Sequence, residues 1–237
     1  MPISPPPEPP ILYGRRRGRR LRPKPQALVD RLLPALTVDL PAGAPLHPEA
    51  LFGGSCKACE LEIGFGGGEH LAQRASRHPE VGFIGCEPYL NGVASLLGYV
   101  EELGLTNIRV WPNDARLLLP AISAVSISRV CILFPDPWPK RRHAKRRLIS
   151  TGTLDMLARI MADGAELRLA SDDDGYVRWM SSCLINHPDF RWTPPVSGGR
   201  PDPSGDWPAT RYEDKALRQG RMPIYVTAYR RARGASR

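Results

Sequence analysis

The rhythm of hydrophobic positions changes twice along this chain. Residues 1–25 hold almost nothing apolar, residues 26–54 are leucine-rich but broken by prolines, and strand-like and helix-like stretches alternate from Ala58 onward. ACELEI and VGFIGCE read as the first two strands, with a polar-faced helix over residues 71–78 between them. Val93, Leu96, Leu97, Val100 and Leu103 recur at helical spacing. NIRVW, RVCILF and AELRLAS read as strands three to five. Leu154, Leu157, Ala158 and Met161 mark one later helix, and residues 176–186 form another. Residues 190–193 and 224–229 read as two closing strands around a long Gly/Pro loop. Repeated strand–helix units predict a mostly parallel α/β sheet with helices on both faces and its sites at the carboxyl ends of the strands.

This pattern divides the chain into a disordered Pro/Arg-rich arm (1–25), an extension packing on or near the core (26–54), one domain (55–232) and a short tail (233–237). One short helix is expected near Leu28 to Leu33 in the extension. Lys and Arg number 33 against 24 acids, a net charge of +9, so the surface should attract a polyanion, with nucleic acid the first expectation. No apolar run approaches the roughly 20 residues that span a bilayer, and the N-terminus lacks the apolar core of a signal peptide. A cytoplasmic protein with no membrane partner is expected. Five cysteines do not make a disulfide framework. Cys56 and Cys59 have CxxC spacing, but no second pair or finger-spaced histidine follows, so no metal is expected.

The candidate chemistry begins where the first strand ends. Glu62 is followed by Gly64, Gly66, Gly67 and Gly68, and then Glu69 stands where a dinucleotide fingerprint would need glycine. Acids around a glycine turn suit a cationic ligand better than a pyrophosphate, and the sulfonium and amino group of S-adenosylmethionine meet that description. Glu87 ends the second strand, where an acid can accept ribose hydroxyls. Asn113 and Asp114 follow the third, where they can receive an adenine amino group. The fourth strand runs into FPDPWPKRRHAKRR, in which Asp136 and Trp138 stand just ahead of six cations: Lys140, Arg141, Arg142, Lys145, Arg146 and Arg147. Such a cluster beside a site is expected to hold phosphates.

ELEIGFGGGEH, GCEP, NDA and FPDPWPKRRHAKRR, supported by ASDDDGY and TRYEDKALRQGRMPIY, make the chain resemble the tRNA (guanine-N7)-methyltransferase family over roughly residues 57–229. The resemblance implies a seven-stranded Rossmann-like class I methyltransferase fold. It also implies methyl transfer from S-adenosylmethionine to guanine N7 in the variable loop of tRNA, with S-adenosylhomocysteine as product. Its donor site falls on Glu62, Gly64, Gly66, Glu87, Asn113, Asp114 and Asp136. Its substrate site falls on Lys140, Asp172, Thr210, Arg211, Tyr212 and Glu213. The protein would work as a monomer or homodimer, since no second subunit is evident. The Arg-rich arm lies outside the shared pattern.

Guanine N7 carries an in-plane lone pair and no proton, so alignment matters more than general-base strength. Acids near the base should stabilise the positive charge that passes to it, and Asp136 and Asp172 are the expected pair. Trp138 either stacks on the base or packs under Pro135 and Pro137. A nicotinamide dehydrogenase does not fit the glycine spacing. A noncatalytic RNA-binding protein on the same scaffold would explain the charge but not the acids at successive strand ends.

Overall fold

The strand β1 (Ala58–Ile63) has parallel partners on both sides in the computed structural model, which describes residues 14, 16, 18–194, 196–197 and 211–234. On one side β2 (Val81–Cys86) pairs along its whole length, and β3 (Ile108–Trp111) adds to β2. On the other side β4 (Ile127–Leu133) and then β5 (Met161–Ser171) continue the parallel sheet. β8 (Ile224–Arg230) runs antiparallel between β5 and β6 (Phe190–Trp192), giving the seven-strand order β3-β2-β1-β4-β5-β8-β6. A two-residue strand, β7 (Val196–Ser197), pairs with β8 off that path. Chain order reverses between β1 and β4, so the loops leaving these two strands diverge and open a crevice.

Strand alternation assigns each face its helices. Glu60 and Glu62 point to the side of α1 (Pro23–Leu36), α2 (Glu69–Arg77) and α3 (Leu90–Leu103), where Leu28, Leu71, Leu96 and Leu97 close over Phe83, Ile108 and Val110. Leu61 and Ile63 pack on the other side with α4 (Ala115–Leu118), α5 (Thr151–Ile160) and α6 (Asp174–Ile185), through Leu118, Leu154, Leu157, Tyr176 and Met180. Ser150 caps α5 by accepting from the Thr153 N–H, and Asp173 caps α6 by accepting from the Tyr176 N–H.

The inner face beneath α2 carries charge. Glu62 meets His70 Nδ1 at 2.7 Å and Glu60 meets Arg74 at 2.9 Å, two strand positions matched to two helix positions one turn apart. Arg129 on β4 bridges Glu60 at 3.2 Å and Glu166 on β5 at 3.0 Å, and Arg168 pairs with Glu166 at 2.8 Å. Charges in such a place are tolerated only when paired.

Several boundaries differ from the sequence expectation. The first helix begins at Pro23, with Pro23 and Pro25 in the turn where no N–H is needed, so residues 23–25 belong to α1 and not to a disordered arm. Further up the arm, the Leu90 N–H donates to the Arg16 carbonyl at 3.1 Å. Asn91 accepts from the Gly18 N–H and donates to the Arg19 carbonyl. Low apolar content predicted disorder here, but this backbone is held by polar partners at the start of α3. Cys59 lies inside β1, with its sulfur 3.5 Å from that of Cys56.

Candidate functional site

The turn after β1 is built from glycines because the backbone demands them. Gly66 has φ of 58°, and a Cβ there would stand 3.0 Å from the Tyr212 ring; a Cβ on Gly92 would lie 2.2 Å from the Gly66 carbonyl oxygen. The Glu87 carboxylate accepts from the Gly66 N–H and the Tyr89 N–H, each at 2.9 Å. Burial pushes the Glu87 carboxyl above the ordinary range, the two N–H donors pull it back, and nearby Asp136 pushes it up again. Asp114 caps α4 through the Arg116 N–H and pairs with the Arg116 side chain at 2.6 Å. Asn113 accepts from the Asp114 N–H, and Arg16 of the arm reaches Asn113 Oδ1 at 3.4 Å.

The loop after β4 faces this turn. Phe134 and Trp138 both have left-handed backbones, with φ of 52° and 43°, and Pro135 and Pro137 stiffen what lies between. Left-handed bulky residues are costly and persist where their surroundings hold them, as at functional sites. Asp136 is exposed on this loop. Phe134 lies nearly parallel to Tyr212, ring centres 6.4 Å apart, and Arg146 sits over the Trp138 ring at 5.0 Å, with His143 edge-on to the same ring.

Turn and loop border a cavity of about 700 Å³ lined by Gly64, Gly66, Glu87, Asn113, Asp114 and Asp136, together with Phe134, Trp138, Arg146 and Tyr212. Trp138 is therefore a wall residue. Phe134 and the Arg146 wall position were not foreseen, and the Phe134 signal was present in the sequence as the residue leaving the strand. The cation cluster divides: Lys140, Arg141, Arg142 and Lys145 are exposed, while Arg146 and Arg147 turn inward. Desolvation and then Arg146, Arg142 and Lys140 lower the His143 pKa, which favours the neutral ring.

Three expected site residues are not among those that line the cavity. Glu62 is buried against His70 and is not part of the cavity wall, because strand alternation turns it toward α2. Asp172, at the end of β5, pairs with Arg221 at 3.0 Å and is not among the residues lining the cavity. Lys140 is exposed at the start of the 3-10 turn Arg141–Arg146, also away from the wall. Thr210 lies outside the described residues. Arg211 opens α7 (Arg211–Arg218), which presents Tyr212 to the cavity and buries Glu213. Among the described residues no group of three or more His, Cys, Asp or Glu is placed to hold a metal ion, and no helix is long and apolar enough to cross a membrane.

A parallel sheet with this order reversal, and acids from successive strand ends around a glycine turn, define a class I S-adenosylmethionine-dependent methyltransferase. The solved 16S rRNA methyltransferase KamB aligns with a TM-score of 0.57 at 13% identity, covering 78% of this chain and 94% of its own. An antibiotic-related methyltransferase aligns at 0.55 and 16% identity, covering 85% and 99%, a likeness of fold. A family model described as "putative methyltransferase" matches residues 57–226. The tRNA (guanine-N(7)-)-methyltransferase of Rhodospirillum rubrum is 50% identical over 94% of this chain and 89% of its own length. That of Paramagnetospirillum magneticum is 51% identical over 95% of each. The chain belongs to the tRNA (guanine-N7)-methyltransferase family.

Proposed function

We propose that this protein transfers a methyl group from S-adenosylmethionine to N7 of a guanine in the variable loop of tRNA, forming 7-methylguanosine and S-adenosylhomocysteine. The observation that carries this reading is the placement of Asp136 and Glu87 in one cavity, between a glycine turn and an aromatic wall. The residues fit the donor: the cavity is of nucleoside size, and Glu87, Asp114 and Asp136 oppose a cation. When bound, the donor supplies an electrophilic methyl on a sulfonium.

The chain's own contribution is position and field. Glu87 keeps the glycine turn closed and offers its remaining lone pairs to ribose hydroxyls. Asn113 and Asp114 stand at the adenine end. Asp136 faces the base, accepts from its Watson–Crick edge and opposes the charge that develops on it. Tyr212, Phe134 and Trp138 supply flat surfaces for the guanine. Lys140, Asp172, Thr210, Arg211 and Glu213 complete the substrate surface on the family pattern, and the exposed cations hold tRNA phosphates. The protein works in the cytoplasm, as a monomer or homodimer without a second subunit.

The test is a methylation assay with tRNA and labelled donor, scored for 7-methylguanosine after digestion. Product is expected, and none should form on tRNA carrying 7-deazaguanine at the target. Tight tRNA binding without any product would leave a noncatalytic RNA-binding protein.

A further inference from the structure

Arg147 turns away from the surface that most of its cluster occupies. Its Nε donates to the Pro137 carbonyl at 3.0 Å and its Nη2 to the Trp138 carbonyl at 3.3 Å. The guanidinium lies 4.8 Å from the centre of the Trp179 ring and 5.7 Å from that of Tyr176, both on α6. Those two residues are tied to the chain just beyond Arg147. Trp179 Nε1 donates to the Ile149 carbonyl at 2.7 Å, and the Ile149 N–H donates to the Tyr176 hydroxyl at 3.3 Å. A planar guanidinium can stack on aromatic rings while its edge holds two carbonyls; an ammonium cannot do both.

The carbonyls it holds belong to the two residues after Asp136. Trp138 among them keeps a left-handed backbone, a conformation that needs external support. Asp136 itself is exposed, so its direction is set by the peptides around it more than by packing of its own side chain. The opposite end of the loop is tied too, since the Phe134 N–H donates to the Ala170 carbonyl at 2.8 Å. Arg147 is thus the link between the Asp136 loop and α6.

We propose that Arg147 is a positioning residue for methyl transfer: it locks the Pro137 and Trp138 carbonyls against α6 and so fixes Asp136 in the cavity, in place of the phosphate contact its cluster suggests. The proposal rests on the methyltransferase reading above and deepens it. It separates two groups within one run of cations, those that face tRNA and one that shapes the site.

The experiment compares Arg147→Lys, Arg147→Gln and Trp179→Leu with the wild type in single-turnover methylation at saturating donor and tRNA. Donor affinity by calorimetry and the salt dependence of tRNA binding are measured alongside. All three variants should slow the step by roughly 10- to 100-fold, the scale of a small misplacement of reacting groups. Donor affinity and the salt slope should stay at wild-type values. Because Arg147 acts through Asp136, adding Arg147→Lys to Asp136→Asn should cost little beyond Asp136→Asn alone. A phosphate contact gives another pattern: Arg147→Lys keeps near-wild-type rate while Arg147→Gln lowers the salt slope by about one charge, and that result overturns the proposal. If Arg147→Gln does not fold, a wild-type rate in either Arg147→Lys or Trp179→Leu overturns it equally. Absence of 7-methylguanosine from the wild type would sink the functional reading and this proposal with it; undiminished variants of an active wild type sink the proposal alone.

Discussion

Glu87, at the end of β2, accepts the Gly66 N–H at 2.9 Å, so an acid 21 residues away closes the turn that follows β1. The same carboxylate holds the start of the next segment through the Tyr89 N–H. Replacing it by Gln keeps an acceptor oxygen but loses the charge. Donor affinity should fall about 10- to 100-fold in calorimetry, the range for a hydrogen bond to an ionised group, and Glu87→Ala should lose at least as much.

The raised Glu87 pKa gives that affinity a pH dependence. Ribose hydroxyls donate to the carboxylate form, so donor binding should be full above the raised pKa and fade as pH falls through it. The stability effect has the opposite sign. A folded carboxyl held above its unfolded value binds more protons in the native state, so its contribution to stability falls as pH rises across that window. Donor titrations between pH 5 and 8 with Glu87→Gln as reference check the binding half; an equal pH slope in both proteins would exclude Glu87 as the titrating group.

Gly92 is held to glycine by its neighbour, since an added Cβ would sit 2.2 Å from the Gly66 carbonyl oxygen. Gly92→Ala must shift either α3 or the turn. Loss of about 1–3 kcal/mol of stability is expected from such overpacking, together with weaker donor binding. Gly98→Ala, where nothing lies within 4 Å of the added Cβ, is the control and should leave donor binding unchanged.

Asp136→Asn should keep the wall of the cavity and lose its charge. The expected outcome is turnover at saturating donor reduced on the order of 100-fold, the usual scale for removing one preorganised electrostatic group, with a smaller loss of donor affinity because Asp136 also opposes the donor's charge. Near-normal turnover with normal donor binding would remove Asp136 from its catalytic role.

Arg141 and Lys145 are exposed members of the basic cluster. Changing both to Gln should weaken tRNA binding and lower its salt slope by roughly 1.5, reflecting two fewer phosphate contacts, with donor affinity unaltered. Binding isotherms at several salt concentrations read this directly.

Most strands and helices were legible because each relies on local pattern. Leu61 and Ile63 alternate with Glu60 and Glu62, and Val93 to Leu103 repeats at helical spacing. Glu87, Asn113, Asp114 and Asp136, expected at successive strand ends, all line the one cavity because strand ends converge where the sheet reverses. Direction within a motif was less legible. Glu62 and Gly64 are two positions apart, yet one faces α2 and the other the cavity. Asp172 carries the expected charge, but its partner, Arg221, is distant in sequence. Arg146 and Arg147 look like their neighbours in a run of cations, and it is the tertiary partners, the Trp138 ring for one and the Trp179 ring with the Pro137 and Trp138 carbonyls for the other, that draw them inward. The described residues of the arm are held through backbone groups of Arg16, Gly18 and Arg19 bonded to Leu90 and Asn91, contacts that leave no apolar trace in the sequence.

Glu60, Arg129 and Glu166 stand directly opposite one another on β1, β4 and β5. Sliding any of these strands by one residue would turn its charge into the apolar face and break the cross-strand pairs it makes, so the ion ladder favours a single alignment. The carboxyl ends of the same three strands lead to Gly64, Asp136 and Asp172. A salt bridge remote from the crevice therefore acts as a gauge, setting the relative heights at which the glycine turn, the Asp136 loop and the end of β5 reach the crevice.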